Sequence, residues 1–401
     1  MSSIQNIGAL EGVKVIDFSQ ILAGPFCTSQ LADMGAEVIK VEKPGIGDDT
    51  RGYGPPFING ESAAFLTLNR NKKSIVLNLK DDQGLDLARK LINEADVVVQ
   101  NFRPGTMEKL GLGYDEVKTF NPSLIYCSIS GFGNSGPSSH KAGFDIVAQG
   151  MSGIMSFTGF PDLPPAKVGV PIADLNTGLY SAFAIVSAYV NRLKTGNGQH
   201  IDSALLDSAL AYTIYQSADY FAEGSISKPL GSAHPMLAPY QAFKTDDGFI
   251  NVGAANQRTW ELLCAALDRK DLLEVEEFSS NANRVTNIEE LIPILEKIFA
   301  SETTNFWIEV LEKSGVPCGP IFNIHQVYED PQVHARDMVV AMDHPISGQI
   351  KAIGVPVKLS LTPGSVRTPA PTLGQHTKEI LRGLGLGDVE IDNLQEKNIV
   401  E

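Results

Sequence analysis

The feature that most constrains the fold is an alternation of apolar strand patterns and helix patterns over the first 130 residues. "VKVIDF" (13–18) predicts a strand, a helix follows from Pro25 to about Met34, and "EVIKVE" (37–42) predicts the next strand. The alternation returns with strands at 74–79, 96–100 and 123–130 and a helix at 81–94. Strands joined by helices run parallel, so we expect an open, Rossmann-like α/β sheet that binds its ligand at the carboxyl ends of the strands.

The chain divides by composition into a large domain and a smaller one inserted into it. Its 401 residues exceed one ordinary core, and "SISKPLGSAHPMLAP" has the composition of a linker. A hairpin around Asp247-Gly248 and helices at 257–267, 287–299 and 304–314 indicate an α+β domain. The predicted organisation is 1–205 as the first part of the large α/β domain, 206–230 as a linker, 231–320 as the small α+β domain, 321–330 as a second linker, and 331–401 as the part that returns to the large domain.

Two long helical segments follow the sheet pattern. Residues 174–193, "DLNTGLYSAFAIVSAYVNRL", are apolar nearly all round, which predicts a buried helix. After "TGNGQ", the residues up to Gly224 predict a short strand and a second long helix.

The charge balance excludes several classes of function. The 32 Lys and Arg against 47 Asp and Glu give a net charge of −15, which disfavours nucleic acids and anionic membranes as partners. No apolar run reaches the ~18 residues of a membrane span, and "MSSIQNIGALEG" resembles neither a secretory signal nor a transit peptide. The four Cys are scattered, as in a reduced intracellular protein. We expect a cytoplasmic protein, or a mitochondrial one in a eukaryote, although no transit peptide is visible.

Familiar catalytic motifs are missing or misplaced. "GFGNSG" (131–136) matches the dinucleotide pattern G-x-G-x-x-G, but Pro137 follows at once and the motif lies outside the first β-α-β unit. A glycine-rich loop is therefore the preferred interpretation. The seven His are dispersed without ligand spacing, so no metal site is expected, and no Ser lies in a G-x-S-x-G elbow.

Basic residues gather in three loops beside the predicted strands. They are Arg70, Lys72 and Lys73 before the 74–79 strand, Lys43 and Arg51 after the 37–42 strand, and Arg103 and Lys109 after the 96–100 strand. Any one loop is explained by ordinary solvated charges. Together they predict a ring of positive charge around one anionic ligand, such as a phosphate-bearing nucleotide.

A carboxylate, Asp174 in "GVPIADLNTG" (169–178), stands where the chain enters the first long helix. Asp is a preferred N-cap, because its side chain accepts hydrogen bonds from the free N–H groups of the first turn. A carboxylate that is shielded from water in the same place is also able to act as a nucleophile. The residues alone leave both interpretations open.

Several segments together resemble family III CoA-transferases, and the resemblance covers nearly the whole chain. The segments are "GVKVIDFSQILAGPFCTSQLADMGAEVIKVEKPGIGDDTR", "NRNKKSIVLNLK", "VVVQNFRPG", "LGLGYDEV", "YCSISGFGNSGP", "AGFDIVAQ", "ADLNTG", "PYQAFKTDDGFINVGAAN", "SGVPCGPI" and "LGQHTKEIL". The similarity is greatest to the members that exchange CoA between succinyl-CoA and a dicarboxylate. It implies an acyl-CoA and a free carboxylic acid as substrates, coenzyme A as a substrate moiety with no permanently bound cofactor, and an interlocked homodimer whose two linkers encircle the partner chain.

The resemblance also implies roles for individual residues. Asp174 matches the catalytic aspartate, and Gly253 and Ala254 in "VGAAN" match a glycine-rich loop that supplies N–H donors to tetrahedral intermediates. The positions that match CoA contacts are Lys43, Leu77, Lys80, Asn101, Phe102 and Lys109. Ala142 replaces a Lys that holds CoA in some members, and the neighbouring Lys141 is expected to substitute for it.

The acceptor acid and the reaction type have alternatives. A dicarboxylate needs a partner for its distal charge, and Arg70 is the candidate, with a solvated surface Arg as the other interpretation. A monocarboxylate transferase, an intramolecular CoA-transferase and a non-catalytic CoA-binding scaffold are further alternatives. An α-methylacyl-CoA racemase is disfavoured, because Phe144 and Asn256 stand where such enzymes have His and Glu.

Overall fold

The computed structural model describes residues 8–401, which form two compact units. The large unit contains residues 8–152, Val168–Tyr212 and Pro331–Glu401, and the small unit contains Gly153–Lys167 and Thr213–Asp330. This division places 206–212 in the large unit and 153–167 in the small one, which differs from the predicted boundaries at both points. The predicted absence of a leader segment concerns mostly residues 1–7, which lie outside the described residues.

The large unit is built on a six-stranded parallel sheet, as the alternation of strands and helices predicted. In spatial order the strands are Lys72–Val76, Glu37–Glu42, Lys14–Asp17, Val97–Gln100, Ile125–Ser130 and Gln199–Ala204. Numbered along the chain, this order is 3-2-1-4-5-6, the doubly wound arrangement. The strand order reverses between the first strand, Lys14–Asp17, and the fourth, Val97–Gln100, so a ligand crevice is expected there.

Helices cover both faces of this sheet, and two short hairpins lie outside it. The helices are Ala23–Asp33, Ala63–Leu68, Asp82–Asn93, Thr106–Lys109, Tyr114–Val117, Asp145–Met151, Ile172–Thr195, Leu205–Leu210, Pro331–Ala335, Thr377–Gly383 and Asp388–Glu396. The hairpins pair Phe57–Ile58 with Glu61–Ser62 and Val339–His344 with Gly348–Ile353. Val15, Ile16 and Val98 in the central strands are fully buried, which places the core between sheet and helices.

The third strand begins two residues earlier than predicted, at Lys72 instead of Ser74. The strand begins with two lysines, Lys72 and Lys73, which do not fit the apolar pattern of a buried strand. Lys72 is buried because its Nζ lies 3.0 Å from an Asp17 carboxylate oxygen, and Lys73 forms ion pairs with Glu37 and Glu379. Strand pairing thus includes charged residues whose partners lie elsewhere in the chain.

The long helix, Ile172–Thr195, is buried on only one face, so the prediction of a fully buried helix is wrong for this chain. Its buried face packs against the Ala23–Asp33 helix, where Gly178 permits a close approach: an added Cβ would lie 2.8 Å from the Ala23 carbonyl oxygen. On the other face, the side chains of Phe183 and Leu193 are each 70% exposed.

The small unit contains a three-stranded antiparallel sheet of Tyr240–Lys244, Phe249–Gly253 and Cys318–Pro320, in which the first two form the predicted hairpin. Its helices are Ile154–Phe157, Ile214–Glu223, Gln257–Ala266, Asn281–Thr286, Ile288–Phe299, Thr304–Lys313 and Ile324–Glu329. The predicted second long helix is wrong, because it is two helices, Leu205–Leu210 and Ile214–Glu223, and the units divide between Tyr212 and Thr213. Over residues 8–401, no helix is long and apolar enough to cross a bilayer.

Candidate active site

A cavity of about 220 Å³ opens at the carboxyl end of the sheet, at the point where the strand order reverses. Its walls are the loops that follow the first, fourth and fifth strands, together with the 141–144 segment, Asp174 and Leu205. The residues at these strand ends and loops that line the cavity are Ile21, Leu22, Ala23, Asn101, Phe102, Arg103, Pro104, Ile129, Ser130 and Gly131. This is the crevice in which doubly wound sheets bind their ligands.

Hydrogen bonds from two side chains to the backbone hold the first of these loops in an unusual conformation. Ile21 has φ +70°, which is strained for a β-branched residue. The Asp48 carboxylate accepts a hydrogen bond from the Ile21 N–H at 3.1 Å, and Asn101 binds both the N–H and the carbonyl of Gln20 at 2.7 Å. The loop after the first strand is thus tied directly to the loop after the fourth.

Buried charges lie beneath this loop. Lys40 pairs with Asp48 at 2.8 Å and donates to the Ser19 carbonyl at 2.7 Å, so it supports the residues on both sides of Gln20. Burial by itself would raise the pKa of Asp17, but Lys72 and Lys40 reverse this effect and lower it to about 2. Asp17 therefore stays ionised and paired inside the protein.

Asp174 lies in the first turn of the long helix and lines the cavity. The N-cap position belongs to Pro171, and within residues 8–401 the Asp174 carboxylate accepts no hydrogen bond, so the capping interpretation is wrong. Burial, and then the negative charge of Asp145, raise the pKa of Asp174 to about 7. A carboxylate with no hydrogen bond and a raised pKa is a stronger nucleophile than a solvated one.

The residues that follow Asp174 anchor this turn. Asn176 donates to the Ser208 carbonyl at 2.7 Å, and the Thr177 hydroxyl donates to the Ala173 carbonyl at 2.7 Å. With the close packing at Gly178, these contacts explain the residue types in "ADLNTG" after the carboxylate.

"GFGNSG" is a loop after the fifth strand, in agreement with the preferred interpretation, and no helix opens within it. Gly131 packs directly on Gly143, since a Cβ on Gly131 would lie 2.5 Å from the Gly143 Cα. Asp202 accepts a hydrogen bond from the Asn134 N–H at 2.9 Å. The two glycines bring the 131–136 loop against the 141–144 segment of the cavity wall.

The structure brings three of the predicted CoA residues to the cavity, namely Asn101, Phe102 and Lys141. Lys43 and Lys80 follow the carboxyl ends of the second and third strands, and Lys109 ends the short helix after the fourth. None of these three lysines lines the cavity: Lys80 and Lys109 are exposed, and the half-buried Lys43 pairs with Asp49. Leu77 is buried in the core, 1% exposed.

The predicted N–H donors, Gly253 and Ala254, lie in the small unit and are already bonded there. The Gly253 N–H donates to the Pro317 carbonyl and the Ala254 N–H to the Pro239 carbonyl, each at 2.9 Å. The structure therefore gives no support to these two amides as oxyanion donors.

Arg70 is neither a surface residue nor free for a substrate, which corrects both interpretations of it. Its guanidinium binds both carboxylate oxygens of Asp33, at 3.2 and 2.6 Å, and it is only 6% exposed. Arg70 also precedes the amino end of its strand, in which Lys72 and Lys73 lie, whereas the other two basic segments follow carboxyl ends. The three basic loops therefore do not surround one ligand.

Sequence analysis missed the role of Asp145, whose carboxylate binds the N–H groups of Ala173 and Asp174. Its only signal was its place in the "AGFDIVAQ" segment. It also missed Asp48, which holds Ile21, since nothing in the order of residues joins position 48 to position 21.

The fold and the cavity define a doubly wound α/β protein whose switch-point crevice holds a carboxylate. Residues 10–377 match the protein family described as "CoA-transferase family III". The chain is 44% identical to a succinyl-CoA:glutarate CoA-transferase of Homo sapiens, over all of this chain and 92% of that one. It is 40% identical to a succinate–glutarate CoA-transferase of Agrobacterium fabrum, over 94% of this chain and 95% of that one.

A solved structure agrees with these relatives. The crystal structure of a CAIB/BAIF family protein from Brucella suis matches with a TM-score of 0.84 and 41% identity, over 94% of this chain and 99% of that one. The chain belongs to CoA-transferase family III, and its reaction is CoA transfer.

Proposed function

We propose that this enzyme moves CoA from succinyl-CoA to a dicarboxylate of the glutarate type, with Asp174 as the covalent nucleophile. The observation that carries the mechanism is the Asp174 carboxylate, which lines the switch-point cavity without a hydrogen bond and has a pKa raised to about 7. The choice of substrates is supported by the two glutarate CoA-transferases among the relatives.

The reaction proceeds through two kinds of covalent intermediate. An Asp174 oxygen attacks the thioester carbonyl, and the C–S bond breaks. CoA departs as the thiolate, and a succinyl–aspartyl mixed anhydride is formed. The thiolate then attacks the Asp174 carboxyl carbon. Succinate departs, and an aspartyl-CoA thioester is formed. The acceptor carboxylate attacks this thioester and displaces the thiolate, and an acceptor–aspartyl anhydride is formed. The thiolate then attacks the acceptor carbonyl of this anhydride, which gives the acyl-CoA product and restores free Asp174. No proton is gained or lost, and none of the residues that line the cavity is a His.

Arg103 is the candidate partner for the distal carboxylate of the acceptor, in place of Arg70. It lines the same cavity as Asp174, it is exposed, and it forms no ion pair within residues 8–401. Lys141 also lines the cavity and is assigned to CoA. A buried distal charge without a cation would cost several kcal/mol, so a free guanidinium beside the nucleophile favours dicarboxylates.

The remaining CoA positions, Lys43, Leu77, Lys80 and Lys109, lie on or beside loops that follow successive strands at the carboxyl edge. Lys43 and Lys80 follow strands on one side of the switch point and Lys109 follows a strand on the other, so an elongated ligand that leaves the cavity along this edge would meet either the first two or the third, and the buried Leu77 side chain is not available to it. The racemase alternative is disfavoured further, because Phe144 lines the cavity while Asn256 caps the Gln257–Ala266 helix. Neither side chain is able to exchange a proton with a substrate carbon.

A trapping experiment tests the mechanism. With succinyl-CoA and hydroxylamine, the wild-type enzyme should acquire a hydroxamate that peptide mass spectrometry places on Asp174. Asp174→Ala should fold, bind CoA and show neither label nor turnover. The matched control is Asp388→Ala, an exposed first-turn carboxylate of another helix, which should keep full activity. Turnover by folded Asp174→Ala would overturn the mechanism.

A further inference from the structure

The long helix receives its amino-terminal cap from another helix. The Asp145 Oδ1 accepts hydrogen bonds from the N–H groups of Ala173 at 2.9 Å and Asp174 at 3.4 Å. These N–H groups belong to the first turn, where no preceding carbonyl is available to them, and the residue at the N-cap position, Pro171, supplies no side-chain bond. Asp145, the first residue of the Asp145–Met151 helix, takes over this function.

A buried amide fixes the second oxygen of Asp145. Gln149 is fully buried, its Nε2 donates to the Asp145 Oδ2 at 2.6 Å, and its Oε1 accepts from the Val168 N–H at 2.9 Å. Asp145 and Gln149 lie four residues apart and share one face of their helix. Hydrogen bonds thus run from Val168, just before the long helix, through both side chains to Ala173 within it.

We propose that Asp145 is a positioning residue for CoA transfer: its carboxylate, oriented by Gln149, fixes the first turn of the long helix and so aims the Asp174 carboxylate into the cavity. The proposal rests on the proposed role of Asp174 as nucleophile. Asp145 occupies the first-turn N–H groups that would otherwise bind the Asp174 carboxylate itself, so the attacking oxygens stay free.

Charge adds a second effect. An ionised Asp174 beside Asp145 is destabilised by repulsion between like charges, and this repulsion disappears when Asp174 becomes a neutral anhydride or thioester. Arg103 and Lys141 line the same cavity, and the elements packed against the long helix carry Asp33, His200, Asp202 and Asp207. Asp145 is the charge that contacts the turn directly.

Three variants separate the hydrogen bonds from the charge. Asp145→Ala removes both. Asp145→Asn keeps an acceptor for the helix N–H groups, but its amide nitrogen faces the Gln149 amide nitrogen, so two donors oppose each other. The double variant Asp145→Asn/Gln149→Glu restores the chain, because the carboxylate introduced at position 149 accepts from both position 145 and the Val168 N–H.

The kinetics of succinyl-CoA:glutarate exchange are measured from pH 5.5 to 9. We expect Asp145→Ala to lower kcat by roughly 10- to 100-fold, with KM for succinyl-CoA changed less than about threefold. Asp145→Asn should lower kcat less and move the acidic limb of the kcat profile to lower pH by roughly 0.5–1 unit, because a charge that opposes ionisation of Asp174 is gone. The double variant should exceed Asp145→Asn in kcat by about threefold or more.

A matched control has the same kind of cap in the small unit. Asp247 lies outside the Thr304–Lys313 helix and accepts a hydrogen bond from the Thr304 N–H at 2.8 Å. Asp247→Ala should lower stability without changing kcat or the pH profile. If Asp145→Ala behaves as this control does, the proposal is overturned. If Asp145→Ala does not fold, the decision passes to Asp145→Asn, where an unchanged kcat and acidic limb, or no gain in the double variant, overturns it.

The test also distinguishes this proposal from the mechanism beneath it. Turnover by folded Asp174→Ala would remove the nucleophile itself and the proposal with it. A hydroxamate that still forms on Asp174 in Asp145→Ala, at the wild-type rate, would leave the mechanism intact and overturn only the role of Asp145.

Discussion

At the scale of single residues, Asp174 is held between two opposing requirements. As the proposed nucleophile it must be ionised to attack a thioester, yet burial and the Asp145 charge favour its protonated form. With a pKa of about 7, a large fraction of the carboxylate is ionised at neutral pH, and the ionised form is poorly stabilised by its surroundings. The free energy that folding spends on this carboxylate is recovered as reactivity, as is common in active sites.

The raised pKa predicts a pH-dependent gain in stability for Asp174→Asn. The folded pKa of about 7 lies above the ordinary Asp pKa of 3.8, so the native state keeps a proton that the unfolded chain releases. Native stability is therefore lost as the pH rises between these values, and Asn avoids this loss. The variant should be no more stable than wild type at pH 4 and more stable by about 1–4 kcal/mol at pH 8, measured by urea unfolding. A difference that stays constant with pH would contradict the assignment.

At the scale of elements, the site is made by loops that leave the carboxyl ends of the first, fourth and fifth strands. At the amino ends of the strands, charged side chains are buried and paired with each other, so they support the fold. There Arg70 binds Asp33 at the end of the Ala23–Asp33 helix, and Asn71 donates to the same carboxylate at 2.8 Å and to the Ser365 carbonyl at 2.8 Å. These contacts hold the helix, the third strand and the 365–368 segment together.

Arg70→Ala should therefore destabilise the fold. It removes the guanidinium that binds both oxygens of Asp33, which is 1% exposed, and a broken buried pair costs about 3–5 kcal/mol. The matched control is Arg269→Ala, which removes an equally bidentate but exposed pair with Asp271 and should cost less than about 1 kcal/mol. Urea unfolding of both variants decides the matter, and equal losses would mean that the Arg70 pair is not effectively buried.

Arg103→Ala and Arg70→Ala together test which arginine selects the acceptor acid. Arg103→Ala should lower kcat/KM for glutarate by roughly 10- to 100-fold and for a monocarboxylate of similar length far less. Folded Arg70→Ala should keep the wild-type ratio between the two acids. If the glutarate preference survives in Arg103→Ala, the distal charge is bound elsewhere.

At the scale of the whole molecule, each unit carries an exposed apolar surface. In the large unit it follows the outer face of the long helix: Leu179, Tyr180, Phe183, Val186, Val190 and Leu193. In the small unit it includes Ile214, Phe221, Ile226, Ile321 and Ile324. Large exposed apolar side chains that follow one face of a helix are typical of an interface. They support the homodimer implied by the family resemblance, with a second copy of the chain as the partner.

We expect the purified enzyme to be a dimer that persists on dilution, with twice the monomer mass by light scattering. Phe183→Asp places a charge on the long-helix face and should reduce the dimer fraction or the soluble yield, because an unpaired buried charge is costly. Val389→Asp is the control, since Val389 is 84% exposed on another helix and belongs to neither surface. A folded, active wild-type monomer would refute the dimer.

Periodicity was enough to predict the Glu37–Glu42 strand and the hairpin around Asp247, because these depend on neighbours within a few residues. The parallel sheet was predictable because strands joined by helices run parallel. The family resemblance, carried here by "ADLNTG", implied the role of Asp174, and that role stays a prediction. What the sequence could not determine is how distant polar groups pair: Arg70 with Asp33, Lys72 with Asp17, and Asp145 with the helix that begins at Ile172. These partners lie 37, 55 and 28 residues apart, and the free energy that makes their burial tolerable exists only when the chain brings them together. The tertiary structure therefore decided which charges support the fold and which remain free to act on a substrate.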